Sequence, residues 1–245
     1  MTTFLLVHGG LHGGWCWEEV VPLLEAEGHS ALAPDLPGMG SDPTPLAEVG
    51  LKLCADKIAS IIADEAGPVL LVGHSMGGIT ISQVAERVPE GLLGLVYVSA
   101  RLIPNGQSMA DARSSEIASR PGLIVSDDGL STTYEPAEAA AIFYNGTPPD
   151  KIARIMPRLT PQPILPTTER LRLTPERFGR VPRAYIECLR DNSNPLSHQR
   201  AMQDALPCDL TITMDNDHSP FYSAPEALAA NLMNIATHFS RRKSV

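Results

Sequence analysis

The sequence predicts an α/β fold: a mostly parallel central sheet, helices on both faces and an inserted helical lid. Three observations predict it. Short apolar runs alternate with stretches of helical spacing through the first hundred residues, as in a parallel sheet with crossover helices. The runs are unbroken, as strands covered on both faces require. The segment Gly73-His74-Ser75-Met76-Gly77-Gly78 stands between one such run, residues 69–72, and a helical stretch, residues 79–88, that Pro89 stops.

The elements follow in order. Residues 4–7 read as the first strand. Residues 18–27 are helical and end at Gly28, and residues 30–33 form the second strand, closed by Pro34. Residues 46–66 read as a helix with Leu53, Ile58, Ile61 and Ile62 on its apolar side. Residues 69–72 and 92–98 are the third and fourth strands. The rhythm then breaks. Residues 101–182 hold 11 of the 22 prolines. Helical pieces are read at 136–144 and 149–158, because Ile142, Phe143, Ile152 and Ile155 recur at helical spacing, and no convincing strand is read. The sheet resumes at 184–188, followed by a helix at 195–205, a strand at 209–213 and a last helix at 225–239. The expected division is a core of residues 1–100 and 183–245 with a lid of residues 101–182.

Composition narrows the function classes. At 245 residues the chain fits one α/β domain with an inserted lobe. It is 43% hydrophobic and 19% charged, ordinary for a globular protein. The net charge of -9, with basic residues gathered only in a short Arg241-Arg242-Lys243 tail that reads as solvated, argues against nucleic acid and anionic membrane surfaces as partners. No apolar run approaches the roughly 18 residues of a membrane span. The first eight residues lack the positive segment and apolar length of a secretory signal, so a cytoplasmic location is expected. Cys16, Cys54, Cys188 and Cys208 are scattered and read as reduced and mostly buried. No cofactor is expected, and no metal, since no close Cys or His pair has ligand spacing.

The chemistry centres on Ser75. A Gly-x-Ser-x-Gly segment between strand and helix is the nucleophile-elbow pattern, in which side chains at the two glycine positions would clash with neighbouring elements. Serine alone is a poor nucleophile. It needs a base, an acid behind the base, and N–H donors for a developing oxyanion. His218 is the candidate base, because it alone of seven histidines lies between the last strand and the last helix. Asp191 is the candidate acid, since it follows the strand at 184–188; Glu187, within that strand, is the runner-up. Some enzymes of this type place the acid after the fourth strand, but that position reads Ser99-Ala100-Arg101-Leu102. Asp217 is read as a turn residue, and His74 as pointing away from the serine. Candidate oxyanion donors are the N–H groups of Met76 and of Gly10, in the loop His8-Gly9-Gly10-Leu11-His12-Gly13-Gly14. That loop lacks the pattern of a phosphate-binding loop.

These stretches resemble a known family. Leu5 to Gly10, His12-Gly13-Gly14-Trp15-Cys16-Trp17, Gly73 to Gly78, Tyr185-Ile186 with Asp191, Pro195 and Gln199, and Asp217-His218 are similar to the α/β-hydrolases of the plant methylesterase and hydroxynitrile-lyase-like branch and their bacterial esterase relatives. The resemblance implies an α/β-hydrolase fold, catalytic roles for Ser75, Asp191 and His218, and oxyanion donors at Gly10 and Met76. Lyases of the branch carry a threonine and a lysine where this chain has Gly9 and Ser219. The expectation is therefore a cofactor-free serine carboxylesterase acting on a small to medium apolar ester. A carbamate, amide or lactone hydrolase would use the same residues, with a lyase or a non-enzymatic ligand receptor as more distant alternatives. Met109, Phe143, Tyr144 and Met156 are read first as lid core and second as pocket lining. A homodimer is left open.

Overall fold

The computed structural model describes residues 1–112 and 122–243. Its strands are β1 (Thr3–Val7), β2 (Ser30–Leu32), β3 (Val69–His74), β4 (Leu92–Val98), β5 (Leu123–Val125), β6 (Ser131–Tyr134), β7 (Gln162–Pro163), β8 (Arg183–Cys188) and β9 (Leu210–Met214). Six of these form one sheet in the order β2-β1-β3-β4-β8-β9. Every pairing in it is parallel.

Alternate residues of each strand feed two separate cores, because successive side chains point to opposite faces. Phe4, Leu6, Leu70, Val72 and Val96 pack with Leu228 and Leu232 of the helix Pro225–Lys243. Leu5, Val7, Leu71, Leu95 and Tyr97 pack with Ile58 of the helix Leu51–Ala63 and Ile81 of the helix Gly77–Arg87. Both faces are buried, which explains why the strands read as unbroken apolar runs. Each buried Leu, Val or Ile contributes about 1.5–3 kcal/mol over an exposed one.

Three expectations need correction. The helix expected over residues 46–66 is a single 3₁₀ turn, Leu46–Glu48, then a helix, Leu51–Ala63, that begins after an extended Gly50. Its buried stripe runs Leu51, Cys54, Ala55, Ile58, Ile62, so Leu53 falls off it and is 37% exposed. The inserted segment has the expected helices, Pro136–Phe143 and Pro149–Ile155, but also a sheet in the order β5-β6-β7, paired antiparallel. β6 reads Ser-Thr-Thr-Tyr and β7 Gln-Pro, and β5 is an apolar run of only three residues, Leu123–Val125, so no apolar run of ordinary strand length reveals them. The basic triplet Arg241-Arg242-Lys243 closes the last helix rather than trailing from it, and Arg242 pairs with Asp209 at 2.6 Å.

Cys16, Cys54 and Cys188 are buried and Cys208 is partly buried; all four are free thiols. Among the described residues no helix is long and apolar enough to cross a membrane.

Candidate active site

Ser75 sits between the end of β3 and the helix Gly77–Arg87. A Cβ on Gly77 would lie 2.8 Å from the carbonyl oxygens of Val7 and His8, and one on Gly73 would lie 2.9 Å from that of Gly77. Both glycines are therefore required by close approach. The unusual backbone belongs to the serine, with φ +52°, a left-handed conformation that costs a non-glycine residue about 1–3 kcal/mol. The N–H of Ser75 donates to Val98 and its carbonyl accepts from Arg101, which tie the turn to β4 and the residues after it.

Residues remote in sequence converge on it. Ser75 Oγ lies 2.9 Å from Nε2 of His218, and Nδ1 of His218 lies 2.7 Å from Oδ2 of Asp191. A carboxylate only accepts, so Nδ1 carries the proton and Nε2 accepts from the serine hydroxyl. Asp191 is held from all sides. Its Oδ1 accepts the N–H groups of Ser193 and Asn194, each at 2.6 Å, and Oδ2 also accepts the hydroxyl of Ser99. Glu187, the alternative acid, instead faces Arg200, Gln203 and Thr213.

Gly10 and Met76 line one cavity with Ser75 and His218. Among the described residues, neither Gly10 N–H nor Met76 N–H donates a hydrogen bond. Met76 is also the cap of the following helix, where orphan N–H groups and the helix dipole favour negative charge.

Further polar groups brace the site. His74 turns toward it: its Nε2–H donates to the carbonyl of His218 at 2.8 Å, with ring centroids 4.6 Å apart. His12 Nδ1–H donates to the carbonyl of Gly10 at 2.7 Å, and Tyr144 donates to His12 Nε2 at 2.6 Å. Burial pushes His8 down to about 4, His12 down to about 3 and His74 well below the usual imidazole value, so these three are neutral. Asp217 is more than a turn former. Fully buried, it accepts from Gly146 N–H and Thr147 Oγ1 of the insertion at 2.9 Å each, and from Ser219 N–H and Ser223 Oγ on its own side.

The cavity holds about 50 Å³. Met109 and Phe143 line it, whereas Tyr144 is buried behind His12 and Met156 packs into the core. The lining is mixed rather than wholly apolar. Arg101, Thr132, Tyr134, Gln162 and Ser193 also line it, three of them from β6 and β7, whose strands the apolar pattern does not reveal. A Cβ on Gly9 would lie 2.8 Å from both Cβ of Ser75 and Nδ1 of His74, so the threonine of the lyases has no room here. Among the described residues no three His, Cys, Asp or Glu side chains gather as metal ligands would.

A sheet of this order with a serine at such a turn defines an α/β hydrolase. The chain belongs to the alpha/beta hydrolase family, whose profile matches residues 4–231. Methyl jasmonate esterase 1 of Vitis vinifera is 32% identical to it over 97% of this chain and 97% of its own. A pyrethroid hydrolase from Sphingobium faniae JZ-2 has a TM-score of 0.87 at 30% identity, covering 96% of this chain and 97% of its own. Polyneuridine aldehyde esterase has a TM-score of 0.87 at 25% identity, with 96% and 99% covered. The protein is an esterase-type hydrolase.

Proposed function

We propose that the protein cleaves a small carboxylic ester through an acyl-enzyme on Ser75. Ser75 Oγ attacks the carbonyl carbon and its proton passes to Nε2 of His218. Asp191 holds the imidazole in the reactive tautomer and stabilises its charged form. The N–H groups of Gly10 and Met76 receive the oxyanion, and loss of one such donor costs about 3–4 kcal/mol in other enzymes. His218 protonates the departing alcohol, then activates the water that releases the acid.

The observation that carries this reading is the unbroken chain from Ser75 Oγ through His218 to Asp191, at 2.9 and 2.7 Å, beside two undedicated N–H groups. The relatives named esterases and hydrolases support the reaction class. The cavity supports a substrate with a short acyl or alcohol group that meets hydrogen-bonding walls on one side and Met109, Leu123 and Phe143 on the other. The test is hydrolysis of p-nitrophenyl acetate. The parent turns over with a burst of p-nitrophenol, and Ser75→Ala falls to background; equal rates would reject the reading.

A further inference from the structure

Gln162 opens β7, paired with Thr132 of β6. Two residues earlier, Thr160 N–H donates to the carbonyl of Leu11 at 2.9 Å, and Thr160 Oγ1 accepts from Gly40 N–H at 3.3 Å. The insertion is thus fastened to the loop that carries Gly10. The fastening brings the end of one side chain onto that glycine. A Cβ built on Gly10 would lie 1.6 Å from Oε1 and 2.5 Å from Cδ of Gln162. The missing side chain at residue 10 is what makes space for the carboxamide. Gln162 lines the cavity with Ser75, Met76 and His218, and its carboxamide makes no hydrogen bond among the described residues. A half-turn about its terminal torsion exchanges Oε1 and Nε2, so the group presents either an acceptor or two donors to the cavity.

We propose that Gln162 is a catalytic residue, delivered by the insertion, whose Nε2–H donates to the substrate carbonyl oxygen beside Gly10 and Met76. The proposal rests on the serine-esterase reading. As Ser75 Oγ bonds to the carbonyl carbon, its proton moves to His218 Nε2 and the carbonyl π pair moves onto oxygen. Gln162 transfers no proton; it supplies a third donor to that oxygen, and the insertion thereby completes the oxyanion site.

The experiment compares the parent with Gln162→Met, which keeps the length and loses the donor. Steady-state hydrolysis of p-nitrophenyl acetate, inhibition by trifluoroacetone and labelling by a fluorophosphonate are measured on the full chain. The expected result is a kcat lower by about 10- to 100-fold with KM nearly unchanged, somewhat below the loss of a rigid backbone-aligned donor. Trifluoroacetone forms an oxyanion adduct on serine, so its affinity falls by the same factor, a change that a merely structural role does not produce. Gln162→Leu, which likewise lacks a donor, lowers kcat similarly and carries the test should Gln162→Met fold poorly. A parent that is neither labelled nor active overturns the esterase reading. An active, labelled parent beside variants with kcat and inhibitor affinity within about twofold overturns the role of Gln162 alone, as does a fall in kcat without a fall in inhibitor affinity.

Discussion

The hydroxyl of Ser99 donates to Oδ2 of Asp191, the same oxygen that accepts Nδ1–H of His218. Ser99 follows β4 with φ +41° and is fully buried. It stands where some hydrolases carry the acid itself. Here that position supplies a donor, and the carboxylate of Asp191 reaches across from the loop after β8.

Removing that donor leaves a buried carboxylate with one partner fewer. A hydrogen bond to a charged group is worth about 1.5–3 kcal/mol, so Ser99→Ala is expected to lower unfolding free energy by about that amount. It also loosens Asp191 behind His218, and kcat is expected to fall while KM holds. Urea unfolding and steady-state kinetics check both; an unchanged unfolding midpoint would show that the contact contributes nothing.

Asp217 joins the loop of His218 to the insertion through Gly146 and Thr147. Asp217→Ala strands several buried donors at once, each costing about 1–3 kcal/mol when unsatisfied. The expected outcome is a large loss of stability together with earlier proteolytic cleavage in the insertion than in the core. Limited proteolysis followed by mass spectrometry checks this, and an unaltered cleavage pattern would contradict it.

How much of this is readable from the residues depends on the signal each one leaves. The elbow is readable because Gly73 and Gly77 are set by local contact. Chain order brings out His218 and Asp191 because each follows a strand rich in β-forming residues, Ala184-Tyr185-Ile186 before Asp191 and Leu210-Thr211-Ile212-Thr213 before His218. The sheet of the insertion is obscure, since its strands are short and half polar. One local cue exists there: Asp128-Gly129, with Gly129 at φ +69° and Ser126 Oγ bonded to Asp128 Oδ1 at 2.7 Å, is a hairpin signature. Ser99, Asp217 and Gln162 leave no such cue. Their roles arise from partners 92, 70 or more residues away, or from space that a distant glycine leaves open.

The neutral histidines set a pH dependence of stability. His8 at about 4 and His12 at about 3 titrate below the unfolded value, and His74 is lowered as well. Below about pH 6.5 the unfolded chain therefore binds protons that the folded chain refuses. Stability rises with pH through the window from about 3 to 6.5 and is lost as pH falls through it. Each histidine contributes a slope of up to about 1.4 kcal/mol per pH unit. Urea midpoints that fall steeply between about pH 7 and 5 are expected, and a flat profile would contradict neutral burial.

Gly9 bears on reaction type. Without room for a hydroxyl-bearing side chain beside Ser75, the protein is expected to release no cyanide from mandelonitrile above background. Release well above background would assign it lyase activity.

The most direct measurement is covalent. The protein is treated with a fluorophosphonate, digested and sequenced by mass spectrometry. One adduct is expected, on Ser75, that Ser75→Ala abolishes and that His218→Ala slows strongly. Labelling elsewhere, or no labelling of folded protein, would contradict the assignment of Ser75 as nucleophile.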